Sequence, residues 1–158
     1  MTVKTIPEGY HSVTPYLTVD DGHAALAFYK AAFGAAEVML LPMGERVAHA
    51  EFKIGDSHVM LGKEWPDMNI LSPKTRGGTS SGLMIYVDDV DASFARALAA
   101  GGTQVMAVEN QFYGDRSGKI ADPFGHQWTL ATHIEDVEMA DMERRMAQWS
   151  ASQAAPEA

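Results

Sequence analysis

The sequence predicts an α+β fold: two βαβββ modules forming a curved mixed sheet around a cleft, plus a C-terminal helix. Three observations carry this. The triplet Val19-Asp20-Asp21 returns 68 residues later as Val87-Asp88-Asp89. In both places an alternating run precedes the acidic pair, and an alanine-rich pattern with helical period follows it. After each helix come three short apolar runs separated by turn residues. A repeat this long suits two half-domains sharing one core, with the site between them. The expected organisation is one domain over 1–158: a first module at 12–62, a linker at 63–81, a second module at 82–136 and a helix at 137–152.

Residues Met1 to His11 lack periodicity and read as an extended lead-in. Val13, Leu17 and Val19 alternate with Thr14, Tyr16 and Thr18, which predicts a strand with two different faces. Asp20 or Asp21 is placed to cap a helix whose apolar set is Ala25, Phe28, Tyr29, Ala32 and Phe33; Gly34 is placed to end it. Strands at Glu37 to Leu41, Arg46 to Ile54 and Ser57 to Leu61 form a meander. A two-residue Gly55-Asp56 turn then pairs Ile54 with Ser57, Lys53 with His58, Phe52 with Val59 and Glu51 with Met60. This register puts Ala48, Ala50, Phe52, Ile54, Val59 and Leu61 under the helices. The polar set His49, Glu51, Lys53 and His58 falls on the opposite face with Met60.

Lys63 to Ser81 has no sustained period and reads as a loop; its Gly-rich part near Lys74 and Arg76 lacks the spacing of a phosphate-binding loop. The second module repeats the first: a strand Gly82 to Val87, a helix Asp91 to Ala100, and strands Thr103 to Val108, Gly118 to Ala121 and Gln127 to Thr132. Its last hairpin turns through Asp122-Pro123-Phe124-Gly125, where the aspartate can bond its own turn. Met139, Met142, Met146 and Trp149 give the C-terminal helix one apolar stripe, suited to docking on the chain's own body, a dimer partner or a peptide. The tail from Ala151 to Ala158 is expected to fray.

Bulk properties narrow the function. The absence of cysteine excludes disulfides, thiolate zinc sites and a cysteine nucleophile, and suits a reducing cytoplasm. No apolar run approaches the ~20 residues of a membrane span, and the N-terminus lacks the layout of a secretion signal. A net charge of -9 disfavours nucleic acid, whose binding rests on clustered Lys and Arg. No serine-nucleophile context is present.

Thr14-Pro15-Tyr16-Leu17, Ala27-Phe28-Tyr29, Met60-Leu61, the Leu83 to Asp91 strand, and Gly114-Asp115-Arg116 through Asp122-Pro123-Phe124-Gly125-His126 carry a resemblance. Together with the doubled βαβββ pattern they resemble the vicinal oxygen chelate superfamily of glyoxalases, extradiol dioxygenases and bleomycin-type resistance proteins, and within it the PhnB-like branch. The resemblance implies a small-molecule ligand in the concave cleft and a homodimer. Metal-using members hold the ion through one His or Glu from the first and last strand of each module. The matching positions here are Thr14, Met60, Gly82 and Thr129, none of them a usual ligand, so no metal or other cofactor is expected at the family site. A divalent metal is left only a non-family site.

The remaining candidates follow from the faces. His49 and Glu51 are the catalytic candidates, as proton shuttle and general base, or else members of a hydrogen-bonded polar cluster. Thr14, Tyr16, His58, Met60, Met84, Tyr86, Lys119 and Thr129 are candidate ligand contacts on the concave face. Phe112, Tyr113 and Arg116, in the loop entering the penultimate strand, suit a flat or anionic ligand. Three readings stay open: a metal-independent binder, a lyase, isomerase or dioxygenase rebuilt around His49, Glu51 and His58, and an interaction protein using the Met-rich helix.

Overall fold

A computed structural model describes residues 3–153. The first two residues of the lead-in, and the end of the tail at 154–158, lie outside them. The chain runs β1 (Tyr16–Val19), α1 (Gly22–Phe33), β2 (Ala36–Met43), β3 (Arg46–Ile54), β4 (Ser57–Lys63), a short α2 (Pro73–Arg76), β5 (Gly82–Tyr86), α3 (Val90–Ala99), β6 (Thr103–Asn110), β7 (Asp115–Ala121), β8 (Gln127–His133) and α4 (Met139–Gln153). Each module is a four-stranded mixed sheet, ordered β1-β4-β3-β2 and β5-β8-β7-β6. The acidic pairs act as helix caps: Asp21 Oδ1 accepts from the Ala24 amide and Asp89 Oδ1 from the Ala92 amide, both at 3.0 Å. Gly34 closes α1 in the left-handed conformation.

The β3–β4 hairpin has the register expected from its turn. One face assignment is corrected. In the β2–β3 ladder Leu41 pairs with His49 and Pro42 with Val47, leaving Ala48 as an extra residue. This bulge reverses the alternation before it, so Val47, not Ala48, is buried against α1. Pro42 is tolerated at the same irregularity because β2 is an edge strand. The linker is also more ordered than expected. Ser72 Oγ accepts from the Thr75 amide to cap α2, and the Gly77 and Gly78 amides donate to Lys74 and Pro73 carbonyls. Those amides are therefore already engaged and form no phosphate cradle.

Both sheets press their helix-bearing faces into one core, with Phe28, Tyr29 and Phe33 of the first module against Phe124 and Trp128 of the second, and Phe52 stacked on Tyr29. At its centre the Asp122 carboxylate, 5% exposed, takes four donors. Oδ2 accepts from the Tyr29 hydroxyl at 2.8 Å and the Trp128 indole at 2.9 Å, and Oδ1 from the Phe124 and His126 amides at 2.9 Å. Burial and the Asp122 charge together push the Tyr29 phenol well above its ordinary value, so it stays a donor. His126 Nε2 donates to the Thr18 carbonyl and Arg96 Nε to the Ala32 carbonyl, two further ties between modules.

No strand of one sheet pairs with a strand of the other among the described residues. With their helix-bearing faces in one core, the two sheets leave their other faces open, and residues of both open faces border the space between the modules. The sheets do not close on one another, each leaving an open half-cup, and the cleft expected between the halves is present. This cleft is a crevice of about 1190 Å³ along the free edge of β5. No helix among the described residues is long and apolar enough to cross a membrane.

Removing the Asp122 carboxylate strands four buried donors at once. Asp122→Ala is expected to lower stability by about 3 kcal/mol or more, against about 1 kcal/mol for Tyr29→Phe, which leaves the carboxylate three partners. Urea midpoints at an unchanged m-value would show this order; equal effects would contradict it.

Candidate functional site

On the first sheet the pairing sets Tyr16 beside Met60 and Met60 beside Glu51, while His49 lies across from Gly62. Tyr16 crosses the sheet over Gly62: a Cβ there would stand 2.8 Å from the Tyr16 hydroxyl. That absence lets Tyr16 reach His49 Nδ1 at 2.9 Å. His49 Nε2 lies 3.2 Å from Glu51 Oε1, and the Tyr10 hydroxyl donates to Glu51 Oε2. One tautomer satisfies every contact: Tyr16 donates to Nδ1, Nε2–H donates to Glu51, and Tyr10 donates from the far side. Tyr10 is the first cause, and His49 a lesser one, holding the Glu51 carboxyl below its ordinary 4.5 against the opposing effect of burial. The same contact raises the Tyr10 phenol to about 12. His58 completes the cluster, stacked on the Tyr10 ring with its Nδ1 2.8 Å from the Gly9 carbonyl.

Met84, Thr129 and Lys119 occupy the corresponding register on the second sheet. Lys119 stands where the first sheet has Glu51. Toward the far end of the same face is a second cluster. Asp115, 4% exposed, accepts from the Tyr86 hydroxyl at 2.9 Å and from His133 Nδ1 at 2.8 Å. His133 Nε2 reaches Asp136 at 3.0 Å. With a carboxylate on each nitrogen the imidazole needs both protons, and its pKa is raised above 6.5, Asp115 being the first cause and Asp136 the second.

Of the residues proposed from sequence, the structure gathers Tyr16, His49, Glu51, His58 and Met60 on one sheet and Met84, Tyr86, Lys119 and Thr129 on the other. Thr14, His58, Met84 and Tyr86 also line the crevice between modules. Arg116 does not join them. It projects to the helix side, where its guanidinium is bidentate to Asp91 and also reaches Asn110. Phe112 and Tyr113 pack edge to face, and Phe112 lies against Trp149 of α4, so this loop supports the terminal helix. Arg145 to Glu135 and to the Phe112 carbonyl adds to that support, yet no residue of α4 is buried.

Sequence reading missed Tyr10, Gly62 and His133. Tyr10 lies in a segment without period, so nothing marked it. Gly62 and His133 continue the strands past Leu61 and Thr132, and extending each strand by one residue would have found them. As for metal, Thr14, Met60, Gly82 and Thr129 offer poor donors, and the Lys119 ammonium beside Thr129 opposes a cation. No group of three or more His, Asp or Glu among the described residues is placed to hold an ion.

The comparisons agree with this architecture. A family model for the Glyoxalase/Bleomycin resistance protein/Dioxygenase superfamily matches residues 9–130, and the chain belongs to that superfamily. An uncharacterized protein of Mycobacterium bovis is 40% identical over 140 residues, 86% of this chain and 92% of its own; one of Mycobacterium tuberculosis is equally identical. Among solved structures, a gene product of Arabidopsis thaliana superposes with TM-score 0.63 at 26% identity, covering 77% of this chain and 98% of its own. TioX from Micromonospora sp. ML1 gives 0.62 at 24% identity, over 82% of this chain and 99% of its own, a likeness of fold.

Two outcomes follow from the geometry. In a proton NMR titration His133 should titrate above 6.5, and Asp115→Asn should bring it back toward that value. Gly62→Ala should displace the Tyr16 hydroxyl from His49 with a stability loss of about 1 kcal/mol or more, because the new Cβ meets both that hydroxyl at 2.8 Å and the Ala48 backbone carbonyl at 3.1 Å.

Proposed function

We propose that this superfamily member binds a small organic molecule on the concave face of its first sheet, without the divalent metal used elsewhere in the superfamily. The single observation behind this is the Tyr16–His49–Glu51–Tyr10 network on a sheet face that packing alone would leave to solvent. Partly buried charge with directed hydrogen bonds suits ligand recognition. The donor chemistry of Thr14, Met60, Gly82 and Thr129 supports the metal-free reading. Glu51 serves as an acceptor: a carboxyl held below its ordinary range is a weak base near neutral pH. The enzyme alternative keeps Glu51 as base and His49 as shuttle, and would need a ligand that displaces Tyr10.

A second copy of the chain completes the site. Each half-cup is open on one side. Met139, Met146 and Trp149 on α4, and Val38, Leu41 and Met43 on β2, are exposed apolar groups that a monomer would leave in water. Members of the superfamily often dimerise, and self-association covers these faces with the protein's own chemistry.

Screening small molecules by thermal shift should find stabilising ligands that mass spectrometry recovers unaltered. Zn(II), Mn(II), Ni(II) and Fe(II) should leave Tm unchanged. Near-stoichiometric metal lost on His49→Ala, or turnover abolished by Glu51→Gln, would overturn the reading. Light scattering should report about twice 17.1 kDa, and Met146→Glu should weaken that association.

A further inference from the structure

We propose that the Tyr10 side chain occupies a subsite built for a hydroxyaromatic ligand, and that the segment at residues 3–14 is a strap that vacates it. This rests on the reading of the first sheet as a binding face and names the chemistry of the ligand. The phenol of Tyr10 makes two contacts. Its hydroxyl donates to Glu51 Oε2, and its ring stacks on the His58 imidazole with centroids 4.0 Å apart and planes inclined by 23°. Glu51 and His58 are diagonal neighbours on one face of the β3–β4 pair, since Glu51 sits opposite Met60 and Lys53 opposite His58. A diagonal of about 7 Å on a pleated sheet is within reach of one aromatic ring bearing a hydroxyl. The pair thus supplies an anionic acceptor and a flat π-face at a phenol's spacing.

The acceptor is prepared whether or not Tyr10 is present. His49 holds Glu51 Oε1 and is itself held by Tyr16, so Oε2 is the oxygen left for an incoming hydroxyl.

The strap itself is lightly attached. Between residues 3 and 14 it contains no strand or helix, and the Lys4–Glu8 pair is solvent-exposed. Its hydrogen bonds to the sheet are the Tyr10 hydroxyl and the Gly9 carbonyl, which accepts from His58 Nδ1. Gly9 has φ +83, and a Cβ there would meet His58 Cε1 at 3.1 Å, so the strap lies close to the imidazole because position 9 has no side chain. Pro15 continues the β4 ladder through the Met60 amide and provides the fixed end about which residues 3–14 can swing. An intramolecular phenol of this kind competes with a free one, and lifting it exposes both contacts together.

The test is calorimetric titration of wild-type protein, Tyr10→Phe and Tyr10→Ala with 4-methylphenol, with toluene as the control lacking a hydroxyl. Tyr10→Ala should bind 4-methylphenol at least about tenfold more tightly than wild type, the gain expected if the strap is closed nine-tenths of the time. Tyr10→Phe keeps the ring, loses the hydroxyl and should fall between them; it serves as the folded reference if Tyr10→Ala is unstable. Adding Glu51→Gln to either variant should remove the gain, and the His58 ring protons should shift on titration. Equal affinity in wild type and both variants, or toluene binding as tightly as 4-methylphenol, overturns the subsite. Other ligands that still stabilise the protein and still depend on Glu51 would in that case leave the binding function standing without its hydroxyaromatic specificity. Loss of all such ligands would sink both.

Discussion

The buried carboxylate of Asp122 is the constraint on which the architecture turns. A charge this deep is tolerated only when its lone pairs are occupied, and here two backbone amides of its own hairpin, the Trp128 indole and the Tyr29 hydroxyl occupy them. Three of those donors belong to the second module and one to α1 of the first. The carboxylate therefore shapes the last hairpin and locks the two modules together. Apolar surfaces can slide over one another at little cost, whereas this charge-assisted junction has one low-energy geometry.

That junction decides where function can lie. With α1 and α3 packed between the sheets, the helix-bearing faces are used up and the opposite faces are left open. Strand alternation then sorts side chains by parity: the even positions of β3 after the bulge go to the core, and His49, Glu51 and Lys53 go to the open face. The two open faces share a pattern but differ in charge, Glu51 on the first matching Lys119 on the second. At the positions matching Thr14 and Met60 the second module offers Gly82 and Thr129 with the Lys119 ammonium beside them, while its carboxylate and imidazole, Asp115 and His133, are bonded to each other farther along the sheet. On the first sheet the chain places a phenol of its own, Tyr10, against Glu51 and His58.

The polar network is also self-consistent as chemistry. Each member fits the next: Gly62 gives Tyr16 room, the Glu51 carboxylate, an acceptor only, calls for the proton on His49 Nε2, Tyr16 donates to the free Nδ1, and Glu51 Oε2 receives a hydroxyl. At the far end of the second sheet Asp115 plays a comparable organising part for Tyr86 and His133, although among the described residues no hydrogen bond joins the two clusters. They belong to separate half-cups.

Much of the fold was legible in the sequence. The doubled Val-Asp-Asp located two helix caps, turn length set the β3–β4 register, and alternation assigned most side chains to their faces, because these are local properties of a few neighbouring residues. The bulge at Ala48 was not legible, since an extra residue in a ladder is defined by its partner strand, Leu41 and Pro42. Nor was Arg116, which sits in a site-like motif yet turns to Asp91, nor Tyr10, whose partner is 41 residues away. Sequence by itself determined the modules, their strands and the poor metal donors at Thr14, Met60, Gly82 and Thr129. Only the tertiary structure decided that the sheets share one core through their helix-bearing faces and that Tyr10 closes on Glu51, because both depend on contacts between segments that no local pattern relates.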